Sequence, residues 1–199
     1  MNLFTHIAIS KLLYRELKDM VQLDKNSFSY GNIKPDIVKR GMNKPHTLEN
    51  YLTVVCEKSE ELIHTEYSIQ DFSIRLGEIC HYVCDFFCQY HLKDEILLSI
   101  REHSVYELKL HFKMKKITQN IDLKLGTKQL SRDICTMIKE LRKEYLSCAP
   151  DMKKDIEYAF QATAWICESL SYFYAVDNKI IQNNLEQEIY LTQTIAGGQ

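Results

Sequence analysis

The sequence is poor in the two residues that most often interrupt helices, with six glycines and three prolines in 199 residues. Helix formers dominate between them, which excludes a sandwich or barrel built on many tight turns and predicts an all-α chain. An excess of one sign of charge is also missing. The formal net charge is −2 with histidine neutral, and basic residues are not gathered into one block. Bulk electrostatics therefore give no indication of a nucleic-acid or anionic-membrane binder, although a local site can still be strongly charged. No uninterrupted run of about 18 apolar residues offers a membrane span. The opening "MNLFTHIAISKLLYREL" has no basic n-region, no long apolar h-region and no small-residue cleavage site. A soluble cytoplasmic protein is the expectation. The paired C-x-x-C of structural zinc sites is absent too. The seven cysteines (Cys56, Cys80, Cys84, Cys88, Cys135, Cys148, Cys167) sit mostly inside apolar helical patterns. They read as free buried thiols in a reducing compartment.

What is present is enough apolar sequence, 45% of the chain, for one domain over residues 1–199 with a sizeable core. Periodicity predicts helices over about residues 3–20, 46–64, 69–91, 94–114, 128–147 and 151–178, with a flexible tail from about 183. Thr47 is placed to begin the second, and Pro150 with Asp151 the last. The turn-rich "DKNSFSYGNIKPD" is expected to be irregular. The third helix, "IQDFSIRLGEICHYVCDFFCQYH", carries Phe72, Leu76, Ile79, Val83, Phe86 and Phe87 across more than one face and should be central.

Residues 81–107, "HYVCDFFCQYHLKDEILLSIREHSVYE", concentrate the chemistry. His81 and Asp85 are four apart, so on a helix they share a face and can grip one ion. The same holds for His103 with Glu107 and for His91 with Glu95. With 27 acids in 199 residues, chance gives seven histidines about one such pair, and three occur. A pair alone is usually a solvated helix contact worth about 0.2–0.5 kcal/mol. His81 and Asp85, however, lie in the most apolar helix, where an unpartnered imidazole or carboxylate costs several kcal/mol. A metal would supply the partner. Cys80, Cys84 and Cys88 also recur every four residues, but as small buried hydrophobes rather than thiolate ligands. His64 and His111 read as surface or packing residues, His111 being the reserve ligand because it follows Glu107 by four.

Taken in order, His6, Asp36, His46, the run "LGEICHYVCDFFCQYH" with His81, Asp85 and His91, and "HSVYE" with His103 and Glu107 resemble the zinc-dependent phospholipase C family. That family shares a helical fold with fungal zinc-dependent single-strand nucleases. "AFQATAWICESLSYFYA" resembles its last helix. The resemblance implies that Asp36, His46, His81 and Asp85 hold one zinc and that His91, His103 and Glu107 hold a second. It further implies that Asp85 bridges to a third ion bound by His6, and that Asp36 doubles as general base. Glu95 has no family role. In the family an N-terminal Trp completes the third site. Met1 stands at the start here and His6 follows too soon to leave a matching segment, so two or three ions are expected.

The function implied is hydrolysis of a phosphodiester, because zinc pairs clamp phosphate oxygens and lower the pKa of water toward about 7. A phospholipid headgroup or a small diester is the expected substrate, and nucleic acid enters only as a substrate. A single-strand nuclease and a non-catalytic helical metal-binding protein are the alternatives. Phe28, Tyr30, Phe86, Phe87 and Tyr90 could line an acyl path or stack bases, though helix packing and turns account for each taken singly. Oligomeric state is not encoded in any motif.

Overall fold

The computed structural model describes residues 1–18, 21–38, 44–92, 100–120 and 130–196. Among these there are eight α-helices and no strand, so the chain is all-α. They are α1 (Leu3–Leu17), α2 (Lys25–Gly31), α3 (Lys34–Ile37), α4 (Leu48–His64), α5 (Ile69–Phe86), α6 (Ile100–Asn120), α7 (Ile134–Ser147) and α8 (Met152–Ala196). A single 3₁₀ turn, Gln89–His91, follows α5.

Most starts are written locally. Asn2, Asp24, Thr47, Ser68 and Asp133 each accept a backbone N–H three residues on, at 2.8–3.3 Å. That satisfies a donor the first helical turn leaves unpaired. The stretch expected to be irregular contains α2 and α3 instead. Asp24 caps α2 and Phe28 is fully buried, so one cap and one large side chain suffice to wind a short helix against the core. The third expected helix ends at Phe86 rather than near 91. α8 runs on to Ala196, through the residues expected to form a tail. The expected start of the fourth helix near 94 lies outside the described residues.

α5 is central, packed against α2, α4 and α8, with Phe72, Leu76, Ile79, Val83 and Phe86 buried. It lies so close to α2 that the two meet glycine to glycine. A Cβ on Gly77 would stand 2.5 Å from the Phe28 carbonyl oxygen and 2.9 Å from the Gly31 Cα. This approach brings the chain after α2, and with it Asn32 and Asp36, alongside His81.

The cysteine expectation fails at three residues. Cys56 of α4 and Cys135 of α7 form a disulfide, their Cα atoms 5.7 Å apart and so within bridging reach. Their 79-residue separation hides the pairing from any local pattern. Cys148 is free but exposed, whereas Cys80, Cys84, Cys88 and Cys167 are free and buried as expected.

Gly77→Ala should destabilise the fold by about 2–3 kcal/mol, because backbone on both helices would have to move. Urea unfolding measures this, and an unchanged midpoint would show that the two helices separate freely.

Candidate metal centre

His81 and Asp85 stand one turn apart on α5, both essentially inaccessible. The Asn32 carbonyl oxygen lies 2.9 Å from His81 Nδ1. Nδ1–H therefore donates to it, which fixes the tautomer and leaves Nε2 as an electron-pair donor. That atom faces His46 Nδ1 at 2.9 Å, Asp85 Oδ2 at 3.5 Å and Asp36 Oδ1 at 3.6 Å. His46 Nδ1 is in turn 3.2 Å from Asp85 Oδ2 and 3.8 Å from Asp36 Oδ1. Ligand atoms on a tetrahedral zinc with bonds of about 2.0–2.1 Å stand about 3.3 Å apart. The observed separations bracket that value.

A second group forms where the 3₁₀ turn meets α6. Glu107 Oε1 is 3.2 Å from His91 Nε2 and 2.9 Å from His103 Nε2. His91 Nε2 is also 3.9 Å from Asp85 Oδ1, which joins the two groups. Continued α-helix would carry His91 about 15 Å beyond His81. The break after Phe86 folds it back instead.

His6 supplies the sharpest test of fit. Its ring is wholly buried, stacked on His81 with centroids 4.0 Å apart, and neither ring nitrogen has a hydrogen-bond partner. Its Nε2 lies 3.4 Å from Asp85 Oδ1 without hydrogen-bond alignment. Buried polar atoms are almost always paired, so an orphaned imidazole aimed at a carboxylate fits a metal ligand. Among the described residues, donor atoms gather within 4.8 Å in three groups: His6, His81 and Asp85; Asp36, His46 and His81; His91, His103 and Glu107. The three groups together take in every residue expected to ligate.

The segment before His6, expected to be too short to match the family's, brings Met1 to the donor groups. Its amino group contacts Asp85 and lies 2.9 Å from His91 Nε2 and 3.3 Å from Glu107 Oε1. Burial lowers the affinity of this amine for its proton, but Asp85, Cys88 and Glu107 outweigh it and raise the pKa to about 11. Burial would also neutralise Asp85, yet the Met1 ammonium and the His91 and His6 imidazoles hold its carboxyl well below the usual range. Glu107 is likewise depressed, as hydrogen bonds from His103 and His91 overcome its burial. His81 and His91 are pushed down by burial first, and so stay neutral and available to a metal. Asp36 moves the other way: burial, reinforced by the Asp85 charge, raises its pKa.

Beneath the second group lies an acid with no sequence signal. Asp155 of α8 is fully buried and accepts from the backbone of Gln89 at 2.9 Å, Tyr106 Oη at 2.6 Å and Tyr145 Oη at 2.7 Å. Gln89 begins the turn that carries His91, and Tyr106 precedes Glu107. One carboxylate thus sets the spacing of two candidate ligands from 64 residues further along the sequence than His91.

The remaining candidates divide simply. His64 is exposed and pairs with Asp177 and Glu60. His111 is buried beside Thr5 and Phe4, away from the donor groups. Glu95 lies outside the described residues. Phe28, Phe86 and Phe87 are core, while Tyr30 is exposed and Tyr90 packs on His103 and Tyr106. Sequence reasoning missed Tyr51 and Tyr82, a stacked pair with centroids 4.7 Å apart, against whose edges His46 rests.

Residues 5–152, well over half of the chain, match the family described as zinc dependent phospholipase C. All eight expected ligands fall inside that span. No curated protein and no solved structure matches the chain.

Two outcomes are expected. Asp155→Asn should weaken zinc at the His91, His103 and Glu107 group about tenfold while sparing the Asp36, His46 and His81 group, as read by competition with a chromophoric chelator. Equal loss at both would mark a general folding defect. In chelated protein, the depressed Asp85 and Glu107 carboxyls contribute stability above their unfolded pKa of about 4 and lose it as pH falls toward their folded values. The melting temperature of metal-free protein should therefore drop between about pH 5 and pH 3, and a flat profile would contradict the pairing.

Proposed function

The chain belongs to the zinc-dependent phospholipase C family, and from that premise we propose that it is a zinc-dependent phosphodiester hydrolase. The observation that carries this reading is the gathering of His6, Asp36, His46, His81, Asp85, His91, His103 and Glu107 into three donor groups, with the buried Asp85 carboxylate within 3.9 Å of His6, His46, His81 and His91. Asp36, His46, His81 and Asp85 would hold one ion, and His91, His103 and Glu107 a second. His6 with the other oxygen of Asp85 would hold a third, to which the Met1 amine, where Met1 is the terminal residue, is an additional donor.

Zinc bound there would polarise a phosphate and lower the pKa of an attacking water. The protein's own contribution is placement and proton handling. Asp36 sits at the rim with its side chain 31% exposed, so it can reach a water that the buried Asp85 cannot. Three carboxylates against two or three dications leave the pocket positive, which draws a phosphate to it despite the near-neutral chain.

A phospholipid is favoured over single-stranded nucleic acid. What favours it is the matching family, described as zinc dependent phospholipase C, together with the burial of Phe28, Phe86 and Phe87, which leaves those three rings unable to stack bases.

Protein purified without chelator or metal-affinity tag should contain two or three zinc equivalents and hydrolyse bis-p-nitrophenyl phosphate until chelator is added. Asp85→Asn should remove zinc and activity together, and full zinc occupancy in that variant would sink the assignment. Asp36→Asn should lower kcat about 10²-fold or more. Phosphatidylcholine micelles should be cut in preference to single-stranded DNA. Zinc without any diester hydrolysis would leave a metal-binding protein.

A further inference from the structure

His46 is the one donor of its group whose ring no helix and no backbone carbonyl aligns among the described residues. It precedes the Thr47 cap of α4, and its backbone is fixed locally. The Thr47 N–H donates to the Pro45 carbonyl at 2.8 Å, closing a three-residue turn centred on His46. Asn50 Nδ2 donates to the same carbonyl at 3.0 Å. These bonds place the Cα but not the imidazole, because rotation about the last side-chain bond of a histidine is broad and roughly two-fold. His81 meets the same difficulty with a hydrogen bond between its Nδ1 and the Asn32 carbonyl at 2.9 Å, the usual support for a metal-binding imidazole. The His46 ring has no counterpart. Among the described residues its hydrogen-bond contacts run through Nδ1 alone, to Asp85 and His81, on the side where a metal would bind.

Rings take the place of that bond. Tyr51 of α4 and Tyr82 of α5 stack with centroids 4.7 Å apart and planes 16° from parallel. The imidazole of His46 stands nearly perpendicular to both, at 5.1 Å and 81° to Tyr51 and at 5.2 Å and 73° to Tyr82. T-shaped pairs are a favoured arrangement of aromatic rings, and turning the imidazole out of its plane gives up both of them. The pair is itself held in place. Tyr51 is buried in the core, and Tyr82 also stands at 89° to the His81 ring, 5.3 Å away. Two helices thus present one aromatic pair to two donors of the Asp36, His46 and His81 group.

We propose that Tyr51 and Tyr82 are positioning residues, which hold the His46 imidazole in the plane from which Nδ1 reaches a zinc. The contacts are between rings, so the phenol hydroxyls are dispensable and the rings are not. The inference rests on the zinc reading of the same site.

Zinc affinity, measured on the full chain by competition with a chromophoric chelator, tests this without catalysis. Tyr51→Phe and Tyr82→Phe should bind zinc as the wild type does. Tyr82→Leu should weaken the Asp36, His46 and His81 group about tenfold to a hundredfold and leave the His91, His103 and Glu107 group unchanged. Tyr51→Leu, from the other helix, should act in the same direction. The decisive comparison is made in a His46→Ala background. There Tyr82→Leu should cost no further affinity, because the ring it positions is gone, whereas a tyrosine that merely supports the fold would cost the same with or without His46. Equal losses in the two backgrounds overturn the proposal, as does wild-type affinity in both leucine variants or a comparable loss in the phenylalanine variants. Wild-type protein that takes up no zinc at all overturns the hydrolase reading along with it, so the two failures are told apart by the wild type alone.

Discussion

Asp85 is a carboxylate with 1% of its surface exposed, set in the central helix of the chain. Removing such a group from water costs several kcal/mol unless charge and hydrogen bonds answer it. The partners come from the start of the chain (Met1, His6), the residue before α4's cap (His46), the same helix (His81) and the 3₁₀ turn (His91). The path of the chain can be read as the way of bringing those groups to one anion. His81 and His91 are held neutral by burial, so each keeps an electron pair to offer a cation beside Asp85.

That requirement explains features that pure packing would not favour. α5 stops at Phe86 although its apolar pattern continues, because His91 must return toward Asp85. Asp155 holds the returned turn by its backbone and the adjacent α6 by Tyr106. On the other side, Gly31 and Gly77 remove two side chains so that the Asn32 carbonyl can orient His81. The site is closed at Asp85, His6 and His81 and open at Asp36 and His103.

Legibility in the sequence followed the range of the interactions. The start of α4 was readable because its capping side chain, Thr47, acts only three residues away, whereas Asp24, which caps α2, was read as part of an irregular stretch. His81 with Asp85, and His103 with Glu107, were readable because the pairs lie within one turn. Asp155 was not, since nothing near it in sequence marks a buried acid bonded to Gln89 and two tyrosines. Nor were Tyr51 and Tyr82, or the Cys56–Cys135 bridge, each of which depends on how two helices face one another. The contacts of Met1 were not legible either, since they depend on how the start of the chain lies against α5 and the 3₁₀ turn.

By itself the sequence determined that the chain is helical, that one helix is central, and that histidines and acids occur in an order matching a zinc-dependent family. Those properties are carried by composition, by periods of three and four residues, and by the identity of side chains in sequence. Only the tertiary structure decided which oxygen of Asp85 faces which imidazole, that His6 is left without a hydrogen-bond partner, and which edge of α6 meets solvent. Those depend on distances between segments that are remote in the chain, and such distances exist only once the helices have packed.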